Sequence, residues 1–173
     1  MPIVIDIAFY AAFALFATTT VTSFLYLRGD RPNMLDMTQR AISIAGGLLF
    51  VTICMRWIYF GRIPLTTMVD IVNLLLFMST VIVAILVRKD MLRPLTCYYA
   101  PPLAALSLMN VALGFNKLHQ APKELNDVFL AVHVGLAFLA YALFLIASLT
   151  SAVYIVQARR LKSPLNTART AKL

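Results

Sequence analysis

Charge is what this sequence is poorest in. Of its 173 residues, 13% are charged and 61% are hydrophobic, and the mean hydropathy is +0.85. Soluble domains run at about 25% charged and 45–50% apolar, so a water-soluble globular fold is excluded. There are only two histidines, two cysteines and one tryptophan. Cys54 and Cys97 lie in different apolar segments toward opposite faces, with no CxxC and no metal-ligand spacing, and read as packing residues. No Walker motif, Ser-His-Asp arrangement, paired catalytic carboxylates or zinc spacing is present. Internal repeats and low-complexity tracts are missing too.

What remains is a set of long apolar runs. The uncharged stretches cover 7–27, 41–55, 71–87, 94–116 and 128–158. Crossing a bilayer takes about 20 apolar residues as a helix, and in lipid the backbone must satisfy itself internally. Four stretches qualify directly. The second is cut short by Arg56, which lies near one end and can snorkel to the interface. The expected fold is all-α: a polytopic membrane bundle of five transmembrane helices at about 5–27, 40–61, 69–88, 95–115 and 127–158. It forms one membrane-embedded domain over 1–162, with a polar tail over 163–173. Gly46-Gly47 predicts close helix approach in the second span, and Pro101-Pro102 a bend in the fourth.

The basic residues set the orientation. With the N-terminus outside, Arg28, Arg31, Arg40, Arg88, Lys89, Arg93, Arg159, Arg160, Lys162, Arg169 and Lys172 fall on the inner side. Arg56, Arg62, Lys117 and Lys123 fall on the outer side. Eleven against four is a strong positive-inside bias. The net charge of +8 therefore reports orientation and attraction to the lipid surface, and calls for no nucleic-acid partner. The C-terminus is expected in the cytoplasm. The first segment has no basic n-region and an acidic Asp6, so it reads as a retained helix rather than a cleaved signal.

Ionisable groups inside membrane helices are uncommon and tend to be functional. His133 is one, near the outer end of the last span. Neutral imidazole is the usual iron ligand of haem. Two readings stand: a haem-iron ligand, or a histidine hydrogen-bonded between helices. His119, in the outer connection, is either a second axial ligand or a solvated loop residue. Arg56 and Arg62 are either bidentate partners for haem propionates or interfacial anchors beside Trp57 and Tyr59 in an aromatic belt. Asp70 either pairs with one of these arginines or caps the third helix.

The same outer segments carry a family resemblance. Trp57-Ile-Tyr-Phe-Gly-Arg-Ile-Pro-Leu-Thr-Thr-Met-Val-Asp70 resembles the Trp-Ile-x-x-Gly-His-x-Pro-Leu-Ser-Asn-x-x-Glu segment of the system II cytochrome c biogenesis membrane proteins (CcsA/ResC/HemX type). Trp57, Gly61, Pro64 and Leu65 match, Arg62 stands for the family histidine, and Asp70 for its glutamate. Leu125, Phe129, Leu130, His133, Val134, Tyr141 and Ala142 fall in register with a second motif, Leu-x-x-x-Trp-Leu-x-x-His-Val followed by Tyr-Ala. The resemblance spans roughly residues 40–162.

It implies a bacterial cytoplasmic (inner) membrane protein that handles haem b at the outer face. His133 would ligate the haem iron, and Arg62, Arg56, Trp57 and His119 would complete the surroundings. The family's tryptophan-rich outer segment follows the helix that matches His133, and here Trp57 is the sole tryptophan. The resemblance thus implies the front portion of such a protein. A membrane partner would supply the tryptophan-rich segment, and apocytochrome c would be the acceptor. Any enzymatic role would be at most part of a holocytochrome c synthase (haem lyase). The alternative expectation is a non-catalytic scaffold or accessory subunit of a larger respiratory or photosynthetic membrane complex.

Overall fold

A computed structural model describes residues 2–29, 32–61, 65, 67–88, 90–113 and 128–161. These form α1 (Pro2–Gly29), α2 (Pro32–Phe60), α3 (Met68–Leu86), a short 3-10 helix (Asp90–Leu95), α4 (Thr96–Ala112) and α5 (Val128–Leu161). No strand occurs among the described residues. Helices α1, α2, α3 and α5 are long and apolar enough to cross a membrane. Helix α4 has 17 residues, about 26 Å at 1.5 Å per residue, a little short of the ~30 Å hydrocarbon core.

Each helix builds its inner face on one rule. The seam of α1 runs through Ile5, Phe9, Ala12, Phe16, Thr19 and Ser23, an alternation of four- and three-residue steps, with Ala8 buried beside it. Helix α2 repeats it with Thr38, Ile42, Ala45, Leu49, Thr52 and Arg56. In α3 the seam is Val69, Asn73, Leu76, Thr80 and Val83, continued by Val87 just past its end, with Asp70, Val72 and Ser79 also buried; in α4 it is Thr96, Ala100, Leu103, Ser107 and Asn110, with Cys97 and Tyr99 also buried. A 3.5-residue seam is what left-handed helix pairs at about +20° require. Many seam residues are small or carry a hydroxyl, which lets backbones approach without a large apolar core. Several buried hydroxyls are met locally: Thr19 donates to the Phe16 carbonyl at 2.7 Å, Ser23 to Thr19 at 2.6 Å and Thr80 to Leu76 at 2.7 Å, whereas those of Ser79, Thr96 and Ser107 find no partner among the described residues. That back-bonding is how Ser and Thr tolerate an apolar interior.

Helices α1 to α4 form a ring in which α1 meets α2 and α4, and α3 meets α2 and α4; α5 lies outside it, mainly against α3. Gly46 is the close approach of α2 to α3, because a Cβ there would stand 2.7 Å from Thr80 Cγ2. Gly47 faces open space, so only the first of the two glycines serves the expected packing. Large apolar side chains instead cover the outside, among them Ile44, Phe50, Val51, Ile85, Leu136 and Phe144. An apolar exterior over a small and polar seam suits lipid as solvent.

One expected boundary shifts by several residues. Helix α2 begins at Pro32 rather than near 40. Proline is suited to the first helical position, and the polar turns after it are held by packing, with Thr38 Oγ1 2.7 Å from Thr22 Oγ1 of α1. Hydropathy marks where a helix enters lipid, whereas the helix itself runs on into polar residues. The fourth segment starts where expected, with α4 at Thr96 directly after a 3-10 turn that contains Pro94, and α4 continues through Pro101 and Pro102. The tail over 163–173 lies outside the described residues.

Candidate functional site

At one end of the ring, α2 stops and α3 begins within a few residues. Gly61 ends α2 with a left-handed φ of 62°, and its N–H donates to the Trp57 carbonyl at 3.0 Å. This is the αL stop for which glycine is the favoured residue. Thr67 then caps α3. Its Oγ1 accepts from the Asp70 N–H at 3.2 Å, while Asp70 Oδ2 accepts from the Thr67 N–H at 3.3 Å and from its hydroxyl at 2.8 Å. The reciprocal pair is a capping box.

The box leaves the other carboxylate oxygen turned inward. Arg56, one turn before the end of α2, donates from Nε and Nη2 to Asp70 Oδ1 at 2.9 and 2.8 Å. Both residues are buried, at 4% and 5% exposure, and the guanidinium also lies over the Phe60 ring, 5.4 Å from its centroid. Both expectations for Asp70 are met together: it caps α3 and pairs with Arg56. Arg56 does not snorkel. The seam step from Thr52 to Arg56 points its stem into the ring, where only a carboxylate makes the charge tolerable.

One turn deeper the polar character continues. Asn110 of α4 donates from Nδ2 to Asn73 Oδ1 at 3.0 Å, with both side chains at 1% exposure or less. Asn73 Nδ2, Asn110 Oδ1 and Ser107 Oγ find no hydrogen-bond partner among the described residues. Asp70 and Asn73 lie three residues apart on one face of α3, and Ser107 and Asn110 three apart on α4. The sequence signal was there: a polar i, i+3 pair inside each apolar run, on two consecutive helices.

His133 stands apart from this cluster. Ile146 of α5 packs in one cluster with Val83 of α3. His133 precedes Ile146, and Asp70 precedes Val83, by the same number of residues, about 20 Å of helix in each case. Along its own helix, His133 is therefore as far from that cluster as Asp70 is along α3. It points elsewhere. The buried face of α5 is Ala142, Ile146 and Val153, and at 100° per residue His133 is on the opposite side from Ala142. It is exposed, on an outward stripe with Phe129, Leu136 and Phe144, which are 87%, 61% and 72% exposed.

The other expected site residues divide in the same way. Trp57 is half exposed on the outside of α2 near exposed Ile58 and Tyr59, the placement of an interfacial aromatic. Arg62 and His119 lie outside the described residues. The structure thus brings Arg56 together with Asp70 and separates both from His133. For a haem group the fit is one-sided. An exposed imidazole on an apolar, aromatic stripe suits one axial position and one porphyrin face, while Arg56, turned inward to Asp70, is not placed to meet propionates there. Among the described residues no three His, Cys, Asp or Glu side chains converge on a point. Comparison with protein-family models, with curated proteins and with solved structures finds no match.

Proposed function

We propose that this chain is a haem-handling membrane subunit of cytochrome c maturation. It would lie in a bacterial inner membrane with its N-terminus outside and its C-terminus in the cytoplasm. The observation that carries the reading is His133: an imidazole near one end of a membrane-length helix, on the side turned away from its own bundle. A polar, ligand-competent group facing outward from a helix is costly in lipid, and a cofactor shared with a neighbouring subunit answers that cost. His133 would hold the iron from one side, and Phe129 and Leu136 would offer apolar surface to the ring. The partner would bring the tryptophan-rich segment, the opposing ligand and the approach for apocytochrome c. Haem would supply the vinyl groups to which the apocytochrome's cysteine thiols add. Residues of this chain would bind, orient and shelter it.

The test is the visible spectrum of the detergent-purified protein, from cells making ample haem, beside His133→Ala. A Soret band that is lost or shifted in the variant supports the reading. A band identical in both proteins refutes His133 as the ligand. No band in either, with or without added hemin, favours a second reading, that of a scaffold subunit in a larger respiratory or photosynthetic membrane complex. That second reading has its own observation: the buried Arg56–Asp70 ion pair lies within this chain, as it would in a structural subunit.

A further inference from the structure

At the opposite end of α2 from Arg56, a hollow of about 520 Å³ is lined by Asp36, Gln39, Arg40, Ser43 and Ile44 of α2 and by Arg93 of the 3-10 turn. Arg93 is held in place. Its Nη2 donates to Asp36 Oδ1 at 2.6 Å and to Gln39 Oε1 at 3.2 Å, and its Nε donates to the same Gln39 oxygen at 3.3 Å. Arg40 is exposed. Two arginines and one aspartate give the lining a formal charge of +1.

The hollow does not end in water. Its lower wall is Ile44, 56% exposed, and the same outward stripe of α2 continues through Gly47 to Phe50 and Val51, 52% and 44% exposed. At Gly47 an added Cβ would meet no atom within 4 Å, so the stripe dips there between Ile44 and Val51. A basic, hydrogen-bonding hollow thus sits directly above an apolar furrow on a helix long enough to span a bilayer. Helix α2 has 29 residues, about 43 Å, so its two ends overrun the ~30 Å hydrocarbon core and the 36–43 region falls near the headgroup boundary.

We infer that this hollow binds the phosphodiester headgroup of one anionic phospholipid, with an acyl chain along Ile44, Gly47 and Val51. The charge matches, +1 against the single negative charge of a phosphodiester. Arg40 supplies donors suited to phosphate oxygens, Arg93 adds its positive charge, and the Ser43 hydroxyl, which donates to the Gln39 carbonyl at 3.0 Å, keeps lone pairs to accept from a glycerol headgroup. Basic pockets between helices are a recurrent site for such lipids. A free anion would satisfy the hollow alone; the furrow beneath it is what selects a lipid.

The test is native mass spectrometry of the full chain in detergent, with thermal stability in parallel. The probes are dioleoyl phosphatidylglycerol, dioleoyl phosphatidylcholine, the tail-less headgroup glycerophosphoglycerol, and inorganic phosphate. One phosphatidylglycerol should be retained in preference to phosphatidylcholine. Arg40→Gln should weaken its binding about fivefold, the share of one surface arginine, and Asp36→Asn, which raises the lining charge, should strengthen it by a similar factor. Both positions are exposed, so neither variant endangers the fold. Equal retention of the two lipids, or no opposite response of the two variants, overturns the inference. So does competition by inorganic phosphate or glycerophosphoglycerol at the affinity of the intact lipid, which would make this a site for free anions.

Discussion

Breaking the Arg56–Asp70 pair from one side should cost more than abolishing it from both. Each partner is about 95% withdrawn from solvent, so removing one strands the other's charge, a loss of about 3–5 kcal/mol. Asp70→Ala should reach the top of that range. It leaves a guanidinium that cannot shed its proton, and it also dismantles the capping box with Thr67, worth about 1 kcal/mol. Arg56→Met should cost less, about 2–3 kcal/mol. The carboxylate keeps both donors from Thr67, so its charge stays partly satisfied. The double variant buries no charge and keeps methionine stuffing in place of the arginine stem. It should lose only about 1–2 kcal/mol, chiefly the cap. The two single losses together exceed the double by about 5–7 kcal/mol, above the 0.5–3 kcal/mol usual for side chains in contact, because each single variant strands a buried charge. Reversible unfolding in mixed micelles, driven by rising dodecyl sulfate and followed by helical circular dichroism, reads all four proteins. The single tryptophan, Trp57, adjoins Arg56 in sequence and gives a local fluorescence probe of the same transition. If the single losses add to the double within about 0.5 kcal/mol, the two residues do not interact and the geometry of this end is wrong.

Two further perturbations probe the helix seams. Gly46→Ala places a methyl group 2.7 Å from Thr80 Cγ2, against a side chain anchored by its own bond to the Leu76 carbonyl, and should cost about 1–3 kcal/mol as overpacking. Gly47→Ala meets nothing and should stabilise the helix by about 0.5–1 kcal/mol; the same unfolding assay would expose a reversed order. Asn73→Leu alone should cost about 1–3 kcal/mol, because Asn110 then keeps no amide partner in the seam. Replacing both asparagines with leucine should restore most of that loss, and a double variant worse than either single one would contradict the pairing.

Much of the fold was legible because lipid makes hydropathy nearly a direct readout of depth. The runs beginning near 5, 69 and 128 mark helices α1, α3 and α5 to within a few residues, since an apolar stretch that long has no other way to satisfy its backbone. The boundary that moved is one where depth and helix end part company. Residues 33–39, which include Asn33, Asp36, Thr38 and Gln39, remain helical because Thr38 packs against α1. Asp70 was legible as a cap or as an ion-pair partner, but its two roles are compatible only because the capping box uses one carboxylate oxygen and leaves the other for Arg56.

What composition and order determined by themselves was the order and rough placement of the apolar helices, the basic bias between their ends, and the presence of a histidine near one end of the last. These depend on the solvent the chain faces and on distance along it, and both are properties of a linear sequence. Tertiary structure alone decided direction. It turned Arg56 inward to Asp70, joined Asn73 to Asn110 across two helices, and set His133 on the far side of α5 from the bundle. A helix presents every azimuth within one turn, so the side from which a residue looks is known only when its neighbours are in place.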